Sequence, residues 1–304
     1  MKFSGNKPII TLGMFDGVHR GHKSLIDTVI MKAKSIGGES VAITFDPHPR
    51  LALAEDKQSL NFLTSLEERK YLLNKAGLDK LIIIPFDKKF SQYTTCEFVK
   101  EILVDQFNMS HLIIGFNHHF GHKSPDVNET VADCAMRYGF SFDREEALID
   151  EGTPISSTRI RDNLLSGELA KGNSLLGYDY FLRGSVIEGK KIGRMMGYPT
   201  ANIKPEYDCK LIPKDGVYAV EVDLNGKFYG AMLYIGTRPT MEETGGKRTI
   251  EANIFEFDDD IYGSIVRVIF RHRLRDDIKF RNTELLTEQI KLDKEDTLRI
   301  LARR

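Results

Sequence analysis

Apolar and polar positions change rhythm once along the 304-residue chain. Over residues 8 to about 145, short apolar runs alternate with longer amphipathic ones. Ile9–Phe15, Ser40–Phe45, Lys80–Pro85, His111–Gly115 and Phe140–Glu145 are short and bounded by turn or polar residues, which predicts strands. Lys23–Ile36, Thr64–Ala76, Thr95–Phe107 and Asn128–Tyr138 carry helical spacing between them. The second of these opens on Thr64-Ser65-Leu66-Glu67-Glu68, a capping-box pattern. Such alternation predicts an α/β domain with a parallel sheet wrapped by helices. Sheets of this kind bind ligands beyond the carboxyl ends of their strands.

Residues 156–176 read as short helices, with Gly167 and Gly172 as stops. After Gly177 the rhythm becomes β-rich: Tyr180–Ile187, Gly216–Asp223, Phe228–Ile235, Thr249–Phe255 and Ser264–Phe270, punctuated by glycines. That predicts an antiparallel sheet or barrel. The tail from Thr283 to Leu301 returns to helical spacing through Leu285, Leu286, Ile290, Leu292 and Leu298. Two domains, 1–177 and 178–304, are therefore expected, with no Pro- or Ser-rich linker between them.

Composition narrows the class. Apolar residues make up 41% of the chain, enough for a core, and no run of about 18 apolar residues suits a membrane span. The N-terminus runs into a strand without a long apolar stretch, so no signal peptide is expected. Net charge is −1; residues 1–177 hold 21 basic against 23 acidic side chains, and the remainder 22 against 21. Neither half is a basic domain, which disfavours bulk nucleic-acid binding. Cys96, Cys134 and Cys209 lack CxxC spacing, so neither a zinc site nor a disulfide framework is expected, and a cytoplasmic location fits. Cys96 and Cys134 read as buried filler. The sequence carries no mark of oligomeric state.

Candidate chemistry concentrates in three strings. Gly13 to His22 leads from a strand into a helix, with His19 and His22 three apart and Gly21 between them. A helix entrance with two imidazoles suits an anion such as a nucleotide phosphate. No Lys-Ser/Thr pair closes it, so it is not a P-loop. Ile155-Ser156-Ser157-Thr158-Arg159-Ile160-Arg161 sets three hydroxyls before Arg161, either a second anion site or an ordinary cap with a basic helix face. Further on, Gly193 and Gly197 frame a loop ahead of Tyr198-Pro199-Thr200-Ala201-Asn202. In an extended strand Thr200 and Asn202 point the same way, and both are oxygen ligands acceptable to Mg²⁺. A turn followed by an edge strand is the plainer alternative.

The first two strings together resemble the nucleotidyltransferase superfamily, with its HxGH and ISSTxxR motifs. With Phe45-Asp46-Pro47-His48-Pro49, the string Gly13–Leu25 is similar to the FMN adenylyltransferase module of prokaryotic bifunctional riboflavin kinase/FAD synthetases. The third string resembles the PTAN motif of riboflavin kinases, and Ile235–Thr240, Thr249–Asn253, Leu274-Arg275 and Phe280 continue the likeness. The resemblance implies a Rossmann-like nucleotidyltransferase domain and a six-stranded flavokinase barrel with a C-terminal helix. It implies transfer of the ATP γ-phosphoryl group to riboflavin, then of an adenylyl group to FMN, with Mg²⁺ in both steps.

By matching positions, His19 and His22 would act on the ATP phosphates. Gly13, Phe15, Gly21, Ser156, Ser157, Thr158 and Arg161 would complete that site, and Asn117 would lie near the flavin. In the second domain Gly193 and Gly197 would serve the nucleotide, Thr200 and Asn202 the metal, and Glu251 would be the general base. Arg275 is a flavin-side candidate. The alternative for Glu251 is a solvent-facing strand residue, and for Asp46 a turn former. His118 stands where the family has Phe, and Asn253 where many relatives have His. A chain with one active domain, or a flavin-binding protein without turnover, are the competing readings.

Overall fold

The computed structural model describes residues 5–56, 60–116, 130–189, 197–237 and 248–302. Contacts gather into two units, Met1–Ser157 and Thr158–Arg304. The first is a five-stranded sheet of β1 (Pro8–Leu12), β2 (Glu39–Asp46), β3 (Lys80–Pro85), β4 (His111–Ile114) and β5 (Ser141–Arg144), in the order β3-β2-β1-β4-β5. All four pairings are parallel.

Both faces of the central strands are covered, which is why β1, the middle of β2 and the end of β4 are mainly apolar, while the edge strand β5 is polar and largely exposed. Ile9, Ala42 and Ile113 pack against α1 (Arg20–Ser35) and α3 (Leu66–Lys75). Their neighbours Ile10, Val41, Ile43 and Leu112 face α4 and α5 (Val131–Tyr138). Helix α4 starts as Thr95–Phe98 and continues with π-type bonding over Val99–Gln106. A short helix, α2 (Pro49–Leu53), follows β2. Adjacent residues serve opposite faces because side chains alternate along a strand. From β1 the chain runs outward through β2 and β3, then returns to add β4 on the other side. The sheet order thus reverses between β1 and β4, where ligands of open α/β sheets bind.

The second unit is a closed barrel of six strands in the order β10-β11-β12-β9-β8-β13. They are β8 (Phe181–Ile187), β9 (Ala201–Pro205), β10 (Gly216–Leu224), β11 (Lys227–Thr237), β12 (Arg248–Ile254) and β13 (Ile265–Arg275). A two-residue hairpin, β6 (Ile149–Asp150) with β7 (Thr153–Pro154), lies in the first unit. Helices α6 (Ser157–Ser166) and α7 (Leu169–Leu176) precede the barrel, and α8 (Thr283–Leu301) follows it, packing on β10, β11 and β13. Apart from its first residue, the α6–α7 pair clusters with the barrel unit. Asn173 Nδ2 donates to the Phe270 carbonyl, and the Lys214 N–H to the Leu164 carbonyl. The change of sequence rhythm at Gly177 marks the first barrel strand rather than this division of contacts.

Three expectations need correction. Strand β1 ends at Leu12 rather than Phe15, because Phe15, Gly17 and Val18 take positive φ values of 48°, 82° and 37°. Gly172 is not a stop. It lies inside α7, where a Cβ would come within 2.9 Å of Leu164, so the glycine permits close packing of α6 and α7. Cys96 and Cys134 form a disulfide, which the sequence reading did not expect. Both are buried, as expected of filler, but α4 and α5 dock on the same sheet face and bring them together across 38 residues of chain. Their sequence spacing carries no trace of that meeting.

Candidate active sites

The first site forms where the sheet order reverses. His19 is the N-cap of α1, and its Nδ1 accepts the His22 backbone N–H at 3.3 Å. That bond leaves the proton of a neutral His19 ring on Nε2, a donor for an incoming anion. The two imidazoles stack at a centroid distance of 3.6 Å. Gly21 makes this possible: a Cβ there would sit 3.3 Å from the His19 ring. Burial, and then the neighbouring His19, hold the His22 pKa well below its ordinary value of 6.5. Its Nδ1 is shielded from solvent and has no hydrogen-bond partner among the described residues. Such a buried atom costs about 1–3 kcal/mol, which a ligand's polar atom would offset.

Around the histidines lies a cavity of about 120 Å³, bounded by Gly115 and Phe116 after β4, Glu145 and Glu146 after β5, and Ser156 and Ser157. Phe15 is buried behind it and meets His22 edge-on at 5.4 Å, so its part is to support the ring. Gly13 clears space for that phenyl ring, 3.3 Å from where a Cβ would be. Thr158 and Arg161 belong to the second unit, where Arg161 Nη2 donates to Thr158 Oγ1 at 3.1 Å. Asn117 and His118 lie outside the described residues.

What shapes this loop is a set of buried polar groups that sequence reasoning missed. The Asp16 carboxylate accepts the N–H groups of Leu63 and Thr64 and the Thr64 hydroxyl, at 3.0–3.1 Å. Thr64 Oγ1 also accepts the Gly17 N–H. Ser157 Oγ donates to the Asp16 carbonyl at 2.8 Å, joining the two phosphate-type segments. From α3, Arg69 donates to the carbonyls of Met14 and Phe45, and so fixes the loop after β1 to the end of β2. A β-branched residue at positive φ, as at Val18, is strained and persists only where its surroundings over-determine it. The one sequence signal was Arg69 beside Glu68 on a helix whose other inward positions are apolar; both are nearly inaccessible to solvent.

The second site is on the barrel. Glu251 in β12 lies opposite Asn202 in β9, and residues directly opposed in an antiparallel pair share a face. Thr200 Oγ1 donates to Glu251 Oε2 at 3.4 Å, and Thr249 Oγ1 to Glu251 Oε1 at 3.3 Å. Glu251 is only 6% exposed, which removes the solvent-facing alternative. Asn253 Nδ2 donates to the Pro199 carbonyl at 2.7 Å and so steadies the approach to β9. The Asn202 amide packs directly on Gly189, where a Cβ would overlap it at 1.9 Å. Gly197, at φ 79°, gives the loop a turn that a side chain would resist. Gly193 lies outside the described residues.

Two cavities meet at Thr200. One, of about 560 Å³, holds Glu251 and Asn253 with an apolar wall from Val217, Met232, Leu286 and Ile290. The other, of about 360 Å³, is bounded by Val186, Pro199, Ala201 and the stretch Phe257–Tyr262. Arg275 lines the larger cavity, but its guanidinium is held by Asp293 of α8 through three contacts of 2.7–3.1 Å. Among the described residues no cluster of three or more His, Cys, Asp or Glu could hold a metal. The hydroxyl, amide and carboxylate oxygens of Thr200, Asn202 and Glu251 are hard donors. They fit Mg²⁺ held partly by substrate phosphates, which needs few protein ligands.

Known proteins carry the same two halves in the same order. A family model described as FAD synthetase matches residues 3–159, and one described as riboflavin kinase matches residues 176–301. The chain is 33% identical to a bifunctional riboflavin kinase/FMN adenylyltransferase of Bacillus subtilis, over 96% of this chain and 92% of that protein. A Listeria monocytogenes protein of the same description is 35% identical, over 97% and 93%. One from Escherichia coli is 32% identical, over 94% and 90%. A crystal structure from Streptococcus pneumoniae, described as a macrolide-efflux protein, superposes with a TM-score of 0.86 at 33% identity, over 96% of this chain and 94% of that one. No helix among the described residues is long and apolar enough to cross a membrane. With both halves matched over nearly its whole length, the chain belongs to the family of bifunctional riboflavin kinase/FMN adenylyltransferases.

Proposed function

We propose that residues 178–304 phosphorylate riboflavin to FMN and residues 1–177 adenylylate FMN to FAD, each step consuming one ATP. The observation that carries the kinase half is the junction at Thr200, which lines both cavities and donates to the buried Glu251 carboxylate in the larger one. Riboflavin takes the larger, apolar-walled cavity and ATP the other. Glu251 accepts the proton of the ribityl 5′-hydroxyl as that oxygen attacks the γ-phosphorus, and ADP leaves. Thr200 orients the carboxylate, and Thr200 and Asn202 are placed to hold Mg²⁺. Mg²⁺ bound there would supply neutralisation of the phosphate charge.

In the adenylyltransferase half, an FMN phosphate oxygen attacks the ATP α-phosphorus and pyrophosphate leaves. No covalent enzyme intermediate is needed. His19 Nε2–H, His22 and the N-terminus of α1 hold the phosphates in line and stabilise the charge that spreads over them. Ser156 and Ser157 add hydroxyl donors, Thr158 and Arg161 extend the same motif, and Asn117 serves the flavin. These substrates are small and water-borne, so the proposed location is the cytoplasm and no nucleic acid or membrane partner is invoked.

Incubating the purified chain with riboflavin, ATP and Mg²⁺ tests the reading, with products resolved by chromatography over time. FMN should rise first and FAD follow. FAD without prior FMN, or tight flavin binding with no ADP or pyrophosphate released, contradicts it.

A further inference from the structure

The C-terminal helix α8 presents an unexpected residue to the larger cavity. Its inward row is Leu286, Ile290, Asp293 and Thr297, at helical spacing. The last two are polar, yet Asp293 is 3% exposed and Thr297 is inaccessible to solvent. A carboxylate buried on a core-facing row is costly unless something holds it. Asp293 is held tightly. Arg275 Nε reaches both carboxylate oxygens at 3.0 and 3.1 Å, Arg275 Nη2 reaches one at 2.7 Å, and Gln289 Nε2 donates to Oδ1 at 2.9 Å.

Arg275 is the last residue of β13, so this pair fastens the end of the barrel to the helix that walls the cavity. The guanidinium also donates to the Asp276 carbonyl at 3.0 Å and stacks over the Phe280 ring at 5.8 Å. Phe280 and Ile278 line the same cavity, from the segment between β13 and α8. One carboxylate thereby sets the position of a cation, an aromatic ring and a helix face, all on one wall. Glu251 and Thr200, in the same cavity, are positioned instead by the pairing of β9 with β12 and by the bond between them.

We propose that Asp293 is a positioning residue for the flavin: through Arg275 and Phe280 it sets the wall against which the isoalloxazine ring rests, and so tunes acceptor binding rather than phosphoryl transfer. This rests on the assignment of that cavity to riboflavin. Removing the carboxylate leaves Arg275 without its ion-pair partner, held by the Asp276 carbonyl, in a wall built for an apolar ring. Acceptor binding weakens, while the distance from Glu251 to a bound hydroxyl is unaffected.

The test is steady-state kinetics on the full chain with Asp293→Asn, Asp293→Glu and Gln289→Leu, varying riboflavin and ATP separately. Asp293→Asn should raise KM for riboflavin on the order of tenfold with kcat nearly unchanged, the pattern of lost uniform binding. KM for ATP and the rate from FMN to FAD should stay at wild-type values. Asp293→Glu, which keeps the charge, should recover most of the loss, and Gln289→Leu should give a smaller rise. An unchanged riboflavin KM in a folded Asp293→Asn protein overturns the proposal. So does a fall in kcat with both KM values rising together, the mark of a merely structural role. If Asp293→Asn does not fold, Gln289→Leu and Asp293→Glu decide by the same criterion. A wild-type protein that makes no FMN defeats the kinase assignment instead, and equilibrium dialysis with riboflavin then reads the Asp293 effect alone.

Discussion

The two sites of this chain are built in opposite ways. The proposed adenylyl-transfer site is a strained loop held from below by buried polar groups. Asp16, Thr64 and Arg69 gather its backbone, and the two histidines stand within four residues of each other. The proposed kinase site is a cavity whose key groups come from the residue before β9 and from β12, β13 and α8, spread from Thr200 to Asp293. Its floor is a barrel ladder and its far wall is pinned by one ion pair. A strained loop gives close control of a phosphate with few groups, and depends on every hydrogen bond beneath it. A barrel cavity tolerates local change in its wall, because the ladder that carries Glu251 does not depend on the wall.

This contrast can be broken most forcefully at the catalytic groups. Glu251→Ala should lower riboflavin phosphorylation by about 10²–10⁴-fold, the usual worth of a general base, in an ADP-release assay. FMN adenylylation by the same protein should be unchanged. Asp16→Asn should next lower adenylylation on the order of 10²-fold, since small misplacement of reacting groups is that costly. It replaces an acceptor by a donor facing the Leu63 and Thr64 N–H groups, so the first unit should also lose about 1–3 kcal/mol in urea unfolding. Kinase turnover should not follow. A normal adenylylation rate in a folded Asp16→Asn protein would mean that the loop holds its shape without its anchor.

Acidification separates the two units more gently. Unfolded His22 takes a proton near 6.5, and the folded ring only at much lower pH. The unfolded state therefore binds more protons below 6.5, so this contribution to stability is full above that pH and is lost as pH falls. In the barrel unit Arg273 and Lys214 hold the Asp276 carboxyl at about 2, below its ordinary 3.8. Its contribution is full above 3.8 and is lost only towards pH 2. Between pH 6.5 and 4, unfolding curves should thus show the first unit weakening ahead of the second, and His22→Asn should flatten that trend. The smallest effect concerns the boundary itself. Gly172→Ala pushes a methyl against Leu164 and should cost about 1–3 kcal/mol, registered in the barrel unit rather than the sheet unit.

Sequence pattern exposed the sheet, the barrel and the histidine pair because each leaves a local trace. Alternating rhythm marks strands, and His19, Gly21 and His22 are neighbours in the chain as in the fold. The C-terminal helix shows where that reading fails. Its apolar positions Leu285, Leu292 and Leu298 are exposed, at 46–49%, while Asp293 and Thr297 are buried. Hydrophobic periodicity assigns a face by average polarity, and a helix that places an ion pair on its inner face defeats the average. Asp16 was passed over for a related reason: its partners Leu63 and Thr64 are 47 and 48 residues away, so nothing local marks it as buried. Strand β9 was read from Thr200 and Asn202 but not from alternation, because its five residues are too few for a period of two to show. The disulfide joined residues whose proximity only the packing of α4 on α5 creates.

The measurement that bears most directly on two separate sites in one chain is a chromatographic time course of riboflavin, FMN and FAD, run with His22→Ala and Glu251→Ala proteins side by side. His22→Ala should accumulate FMN from riboflavin and form little FAD. Glu251→Ala should leave riboflavin unchanged yet convert added FMN to FAD at the wild-type rate. Loss of both activities in either variant, or loss of neither, would contradict the account.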